Sequence, residues 1–428
     1  MTNFVTEGAP DRVIELAEQE KLLCLALEKL NAERPLKRVL ILPPDFTRAH
    51  SGAGELTEMA WRWLEKRAQV VIMPALGTHV PMTPDELKKM FGAIPLNRFQ
   101  IHDWRKSLIK LGEVPGNFIH KVSEGKLDYT INVEVNKIIV EGKWDLVLSV
   151  GQIVPHEVIG MANQNKNIFV GIGGADIINK SHFLGAVYNM ERIMGREKSP
   201  VRDVFNYAED RYCQEFPIVY ALTVKSKNQA GKLVTRGLYV GRGDQSYLQA
   251  AKLSQQINLN LLDQSLKKVV VFLDPSEFKS TWLGNKAVYR TRMVIADRGE
   301  LIVLAPGLRE FGEDKEIDRL IRKYGYRGTP ATLQAVKDNK DLAANLSAAA
   351  HLIHGSSEDR FKITYCPGLG VSRKEIESVN FDWASLDDMT KKYDPKKLKD
   401  GFNTVDGEEL FYISNPALGL WALKKQFK

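Results

Sequence analysis

The chain has 428 residues, 44% of them hydrophobic and 26% charged, a composition typical of a soluble globular enzyme with room for two domains. Its formal charge of +7 is dispersed over 60 basic and 53 acidic residues, which favours steering of small anionic substrates over nucleic-acid binding. Three widely separated cysteines exclude a disulfide framework, and no apolar run reaches the roughly 20 residues that span a bilayer. We therefore expect a cytoplasmic protein without a secretory signal, a membrane anchor or a nucleic-acid partner.

Short β-branched runs alternate with longer amphipathic runs, the pattern of an α/β fold with a mainly parallel sheet. In the first half of the chain, strands are predicted at 37–43, 70–74, 144–150 and 168–172. Helices are predicted at 55–67, after the cap residue Thr83, and at 182–194.

The strand pattern restarts near residue 266, which predicts a second α/β domain. Strands are expected from 269, around 301–308 and at 361–365, with a helix-rich stretch at 330–352 and a lysine-rich loop at 391–399. We expect an N-terminal cofactor-binding catalytic domain at 1–265 and a C-terminal α/β domain at 266–404. The apolar tail 405–428 is expected to pack back on the first domain, and the active site to lie in the cleft between the two.

Polar residues follow the first two predicted strands. Asp45, Thr47 and Arg48 come directly after the strand 37–43, where ligand-contacting loops of α/β sheets lie. Arg48 has the planar fork that binds a carboxylate or phosphate. The alternative is that Asp45 or Thr47 caps the next helix and Arg48 is solvated. His79 follows the strand 70–74 in a Gly-Thr-His-Val-Pro turn, either as a general base or as a hydrogen-bonded loop histidine.

Three reactive nitrogens fall within 27 residues: His156, Lys166 and His182. No H-x-x-x-H or cysteine pair accompanies them, which argues against zinc. The glycines of GIGGAD at 171–176 lack the residues of a phosphate loop or a dinucleotide fingerprint.

Gln249 and Lys252 lie one helical turn apart and so share a helix face. They are suited to bind one anionic ligand, although an exposed surface helix explains the same spacing.

The ordered set of motifs resembles the nickel-dependent lactate racemase family. The resemblance lies in D-x-T-R at 45–48, G-x-H-x-P around His79, Pro155–His156, a lysine ten residues later, a histidine sixteen residues further, and Q-x-x-K at 249–252. It covers about the first 255 residues.

The resemblance implies a nickel-pincer nucleotide, a pyridinium-3-thioamide-5-thiocarboxylate mononucleotide attached covalently at Lys166. His182 would supply a nickel ligand, completing a square-planar site. His79 and His156 would be the catalytic acid/base pair, and Asp45 and Thr47 would bind the nucleotide. The substrate would be bound by Arg48, Gln249 and Lys252. The partners implied are a 2-hydroxy acid and the cofactor-synthesis enzymes.

The implied activity is racemisation or epimerisation at C2 of a 2-hydroxy acid. Two sites differ from the lactate enzyme: Leu248 stands where that enzyme has tyrosine, and the run before Lys166 is VIGMANQN. With the polar segment 280–293, these differences favour a larger substrate such as a sugar acid. The alternatives are a metal-dependent hydrolase or lyase with His79, His156 and His182 as ligands, and a cofactor-binding protein without turnover.

Overall fold

The computed structural model describes residues 3–427, with Leu418 described by its backbone alone. The chain divides into two compact α/β units. The first runs to Leu184 and resumes over Ile193–Asn258, and the second contains Gly185–Arg192 and the chain from Leu259 onward. The expected boundary at 265/266 therefore lies at 258/259.

The first unit contains ten strands and nine helices within the described residues. The strands are β1 (Asn3–Gly8), β2 (Arg38–Leu42), β3 (Gln69–Ile72), β4 (Leu108–Val114), β5 (Ile131–Asn136), β6 (Leu146–Gln152), β7 (Pro155–His156), β8 (Gly160–Met161), β9 (Ile218–Lys227) and β10 (Leu233–Gly241). The helices are α1 (Leu16–Glu33), α2 (Ala53–Leu64), α3 (Pro84–Phe91), α4 (Gly116–Val122), α5 (Ile138–Glu141), α6 (Lys166–Phe169), α7 (Ala175–Tyr188), α8 (Pro200–Tyr212) and α9 (Asp244–Asn258).

The main sheet of this unit has the strand order β1-β10-β9-β6-β2-β3. β3, β2, β6 and β9 are parallel neighbours, whereas β10 and β1 are antiparallel. Apolar side chains alternate between its two faces: Leu40 and Leu42 belong to one buried core, Val39 and Ile41 to the other. Because the sheet is covered on both faces, its parallel strands read as continuous apolar runs, which is why sequence predicts them well.

One helix prediction and one strand prediction had different outcomes. Thr83 caps α3 as expected, since its side chain accepts from the backbone of Glu86 and Glu86 returns the bond in a capping box. The predicted strand at 168–172 is wrong, because Lys166–Phe169 forms α6. Backbone hydrogen bonds from Phe169 to Asn165 and from Val170 to Lys166 close this helical turn. A five-residue apolar run does not by itself distinguish a buried strand from a buried helix.

The second unit is also an α/β layer structure. Its strands are β11 (Leu259–Leu262), β12 (Leu266–Phe272), β13 (Ile295–Ala305), β14 (Lys362–Pro367), β15 (Asp382–Trp383), β16 (Gly401–Val405), β17 (Glu408–Ile413) and β18 (Leu420–Leu423). Its helices are α10 (Thr281–Gly284), α11 (Lys286–Tyr289), α12 (Lys315–Tyr324), α13 (Gly328–Asp338), α14 (Lys340–Ala343), α15 (Leu346–His354), α16 (Arg373–Ser378) and α17 (Leu386–Lys392).

Its main sheet has the order β15-β14-β13-β12-β17-β16, in which only β16 runs antiparallel to its neighbour among the described strands. The tail at 405–428 belongs to this unit, because β17 pairs with β12 and β18 pairs with β11. The tail therefore packs on the second unit, although β11 itself lies within the range 1–265 that the sequence assigns to the first domain. Among the helices within residues 3–427, none has both the length and the apolarity needed to cross a membrane.

Candidate active site

The loops that follow β2 and β3 meet at the carboxyl end of the sheet. Asp45 directly precedes a 3₁₀ turn at Phe46–Ser51 without a capping bond from its side chain, and His79 lies in the loop between β3 and α3. Because β2 and β3 are parallel neighbours, their loops emerge side by side, and Pro44 forms an isolated bridge with Ala75. The sequence therefore brings Asp45 and His79 together across 34 residues of chain.

Asp45 and His79 form a buried carboxylate–imidazole pair. The Nδ1 atom of His79 lies 2.6 Å from Oδ2 of Asp45, and the Thr47 hydroxyl donates to Oδ1 at 2.6 Å. Burial alone would raise the pKa of Asp45, but the charge and hydrogen bond of His79 outweigh it, so the pKa lies below its ordinary value. An ionised Asp45 accepts a hydrogen bond from Nδ1–H of His79, which leaves the Nε2 lone pair available as a base.

His156 has the opposite arrangement. It lies on β7, which pairs with β8 in a short hairpin, and is 6% exposed. Its Nδ1 accepts the backbone N–H of Val158 at 3.1 Å, so in the neutral ring the proton is on Nε2. The carboxylate of Glu157 lies 3.7 Å from the same Nδ1. His156 is therefore set to donate a hydrogen bond, and Glu157 is placed to support a proton on Nδ1.

Lys166 is the first residue of α6. Burial and, after it, the positive charge of Arg48 lower the pKa of its amine to about 8, while Glu157 and Asp45 oppose the shift. A substantial fraction of the amine is therefore unprotonated just above neutral pH, which is the state needed for nucleophilic attack.

His182 lies inside α7, and not at a helix start as the sequence predicts. Its Nδ1 donates to the Ile178 carbonyl at 2.7 Å. Burial, followed by the charge of Lys166, lowers its pKa to about 4, so the ring is neutral at physiological pH. Its Nε2 therefore carries a lone pair, and the bond from Nδ1 to a carbonyl is the support that metal-binding histidines ordinarily have.

Backbone and side-chain contacts join these segments. The N–H of Gly77 donates to the Gly171 carbonyl at 2.9 Å. The amide of Asn167 donates to the Leu42 carbonyl at 2.8 Å and to the Ser149 hydroxyl at 3.1 Å, which ties α6 to the ends of β2 and β6. The charges of Arg48, Glu157, Lys166 and His182 also act on one another. We define Asp45, Thr47, Arg48, His79, His156, Lys166 and His182 as the site cluster.

Gln249 and Lys252 lie elsewhere on the first unit. The Gln249 carbonyl accepts from Asn3 at 3.2 Å and from Thr6 at 3.4 Å, both on β1, and Lys252 is exposed. β1 forms the edge of the sheet opposite β3. Neither contact joins the pair to a residue of the site cluster, although α9, which carries both residues, packs against β1 and also against β7, the strand of His156.

The polar segment that favours a larger substrate lies inside the second unit. Ser280, Thr281, Asn285, Arg290 and Arg292 are each at most 5% exposed. Their partners are internal: for example, Thr281 donates to the Phe311 carbonyl and Asn285 accepts from Tyr365. These side chains are not available to a substrate in this structure, so they give no support for a sugar acid.

Two kinds of neighbour were missed by sequence reasoning. Glu157 directly follows His156, and an acid beside a candidate base is a signal that the sequence offers. Arg202 acts on Lys166 from α8, 36 residues further along the chain, and carries no local signal.

A resident metal would need ligands beyond the protein. Among the residues that the structure describes, no group of three or more His, Cys, Asp or Glu side chains is placed to hold a metal ion. His182 offers one nitrogen ligand, so the remaining ligands would have to come from a bound group. An amine of lowered pKa at Lys166 and one free imidazole nitrogen at His182 fit a cofactor that is attached at one point and supplies most of its own metal ligands.

Comparisons with known proteins converge on one family. Residues 6–195 match the family model of the lactate racemase N-terminal domain. The lactate racemase of Thermoanaerobacterium thermosaccharolyticum is 30% identical over 179 residues, which is 40% of this chain and 38% of that protein. The alignment therefore spans little more than a third of that relative's length.

Two solved structures share the fold. A protein of Thermotoga maritima from a structural genomics consortium superposes with a TM-score of 0.83 at 22% identity, covering 98% of this chain and all of that one. The lactate racemase apoprotein of T. thermosaccharolyticum superposes with a TM-score of 0.70 at 17% identity, covering 97% of this chain and 94% of that one.

Proposed function

We infer that this chain, which belongs to the lactate racemase-like family through its N-terminal domain, is an isomerase that inverts C2 of a 2-hydroxy acid with a nickel-pincer nucleotide. The observation that carries the proposal is the pairing of Lys166, an amine with a lowered pKa, with His182, whose Nε2 is free. The charge of Lys166 helps to lower the pKa of His182, which supports a shared role for the two groups.

The cofactor has a defined place in this proposal. Lys166 would carry it through a thioamide and His182 would provide a nickel ligand through Nε2. When bound, this group would supply hydride chemistry at C2 of the substrate. Arg48 is proposed to bind the substrate carboxylate through its planar guanidinium.

The residues of the chain would manage the proton of the C2 hydroxyl. His79, held by Asp45 with its Nε2 lone pair free, would take that proton from one enantiomer. His156 would first bind the substrate oxygen through Nε2–H. To act as the base for the other enantiomer it must carry its proton on Nδ1, and the Glu157 carboxylate would stabilise that form.

The structure refines the roles proposed for Asp45 and Thr47. Asp45 is engaged by His79 through one oxygen and by Thr47 through the other. We therefore propose that Asp45 orients His79 and that Thr47 orients Asp45. A contact of either residue with the nucleotide would add to these bonds.

The substrate is proposed only as a class. A 2-hydroxy acid supplies the carboxylate for Arg48 and the hydroxyl for His79 and His156. Gln249 and Lys252 would reach the substrate only if they left their contacts at β1 and solvent. Sugar acids belong in the test set, although the segment 280–293 gives them no support.

The alternatives fit the site less well. A hydrolase or lyase with His79, His156 and His182 as ligands needs a ligand cluster, and none is found among residues 3–427. A binding protein without turnover would not need two imidazoles in complementary protonation states.

The decisive experiment uses protein produced together with the cofactor-synthesis enzymes. Intact-mass and peptide analysis should find a sulfur-containing adduct on Lys166, with about one nickel per chain. A screen of 2-hydroxy acids should then show C2 inversion, and substrate deuterated at C2 should react more slowly and keep its label in ordinary water. Turnover by protein that lacks both adduct and nickel, or loss of the label to solvent, would refute the proposal.

A further inference from the structure

A run of three amides, Asn163, Gln164 and Asn165, directly precedes Lys166 and contains a rare backbone conformation. The φ angle is +64° at Asn163 and +59° at Gln164, in the left-handed region that residues other than glycine seldom adopt. The Asn163 side chain lies so close to Gly151 that a Cβ there would come within 1.7 Å of Nδ2. Such a turn persists only where its surroundings hold it in place.

Arg202 of α8 holds this turn. Its side chain is buried, and its Nη1 donates to Oε1 of Gln164 at 2.7 Å and to Oδ1 of Asn165. Its Nη2 donates to the carbonyls of Met161 at 2.8 Å and Asn163 at 3.3 Å. One guanidinium thus fixes four acceptors within five residues of Lys166.

Glu209, two turns further along α8, holds the other side of the same amides. Its Oε2 accepts from Asn165 at 3.0 Å and from Gln164 at 3.4 Å, and its Oε1 accepts from the Tyr220 hydroxyl at 2.6 Å. Gln164 also donates to Asp244 at 3.2 Å. Gln164 is therefore held from both α8 and α9, and Asn165 is held from α8.

The same network acts on the amine through charge. Burial, Arg48 and Arg202 lower the pKa of Lys166 to about 8, against the opposing charges of Glu157 and Asp45. Arg202 is therefore both a hydrogen-bond donor to the turn and a nearby positive charge.

We propose that Arg202 and Glu209, with Asn206 between them on α8, are positioning residues that hold the 163–165 turn and so present the Lys166 amine in a reactive place and state. The purpose of this positioning, attachment of the cofactor, rests on the proposed function. Its test does not, because the test uses cofactor-free protein. None of the three touches the reacting atoms.

The test measures the amine itself in cofactor-free protein. Acetylation of Lys166 by a small amine-selective ester is followed by peptide mass spectrometry from about pH 6 to about pH 10. The exposed Lys232 serves as the internal reference. Loss of a supporting hydrogen-bond partner should lower the acetylation rate of Lys166 about tenfold or more and leave the acetylation rate of Lys232 unchanged.

Matched variants separate position from stability. Glu209→Ala should slow acetylation, whereas Glu209→Gln should restore it, because its carbonyl can accept from Asn165 while its amide faces Tyr220. Arg202→Lys keeps the charge but loses the fork, so it should slow the reaction with little change in the pH midpoint. Arg202→Met should also raise the midpoint. Arg236→Lys, at a buried arginine bonded to Ser226 and the Arg12 carbonyl, is the control for general destabilisation.

The outcomes are distinguishable. The inference would be overturned if the Glu209→Ala and Arg202→Lys proteins fold and their Lys166 is acetylated at the wild-type rate and with the wild-type pH midpoint. If these variants do not fold, Asn206→Ala at a half-buried position decides, because it removes the 2.7 Å bond from Asn165 and, besides that, a 3.5 Å bond to Asp244. Absence of nickel or racemisation in loaded protein would refute the proposed function and leave this result intact.

Discussion

At the scale of single residues, the bond between Asp45 and His79 decides which ring nitrogen of His79 is free. In Asp45→Asn, the new amide can donate a hydrogen bond to Nδ1 of His79, and the ring proton then lies on Nε2. The side chain at position 45 keeps its shape, but His79 can no longer act as a base. We expect kcat to fall by roughly 10³-fold or more, by comparison with other aspartate–histidine pairs. The ¹⁵N chemical shifts of His79 should report the changed tautomer.

Thr47→Val is the matched control for that substitution. It removes only the hydrogen bond to the second oxygen of Asp45, so activity should fall by no more than about tenfold and the His79 tautomer should be unchanged. An Asp45→Asn enzyme with near wild-type kcat would show that His79 is not the base.

Lys166 illustrates the cost of keeping an amine reactive. Because the folded protein holds its pKa near 8 instead of 10.5, protonation of this group opposes folding at neutral pH. Lys166→Met should therefore raise the free energy of unfolding by roughly 0.5–2 kcal/mol while abolishing the cofactor adduct. Urea unfolding measures the first effect and mass spectrometry the second. Lys232→Met, at an exposed site, should change neither, and a destabilised Lys166→Met protein would contradict the argument.

At the scale of elements, His102 joins β5 to the turn before α7. Its Nε2 lies 3.1 Å from the Gly173 carbonyl, and Asn136 donates to its Nδ1 at 3.0 Å. Burial lowers the pKa of His102 to about 4. Its folded pKa is below the unfolded value of 6.5, so its contribution to stability is present above pH 6.5 and is lost as the pH falls toward 4.

The prediction is an acid-dependent loss of stability with a defined origin. As the pH falls from about 6.5 to about 4, the free energy of unfolding of the wild type should decline more steeply than that of His102→Gln. The difference in slope should correspond to the binding of close to one proton on unfolding. Urea unfolding across this range measures the difference. Equal slopes would show that His102 does not contribute to it. His120→Gln, at an exposed site, is the control.

The same scale shows why the sequence predicts some elements and not others. The strands that became β2, β3 and β6 and the capped helix α3 have local signals: continuous β-branched runs, and Thr83 followed by proline and acids. The segment 168–172 has an apolar run too short to distinguish strand from helix. The tail depends on β17 pairing with β12, more than a hundred residues earlier, which no local pattern indicates.

The candidate site divides in the same way. Asp45 and His79 were predictable because parallel strands place their loops side by side. The contact of Gln249 with β1 depends on which face of α9 meets the sheet, and the burial of 280–293 depends on the packing of the second unit. The tautomers of His79 and His156 follow from single hydrogen bonds, which residue type alone does not determine.

At the scale of the whole molecule, the formal charge of +7 and the sequence pI of about 9.0 should matter for an anionic substrate. A protein with net positive charge attracts the anion of a 2-hydroxy acid, and salt screens this attraction. The screening length falls from about 30 Å at 0.01 M salt to about 8 Å at 0.15 M. We expect kcat/KM for the acid to fall several-fold over this range of ionic strength, mainly through KM. The neutral amide of the same acid is the matched control and should respond little. An equal response of acid and amide would mean that salt acts on the protein itself and that its net charge does not assist binding.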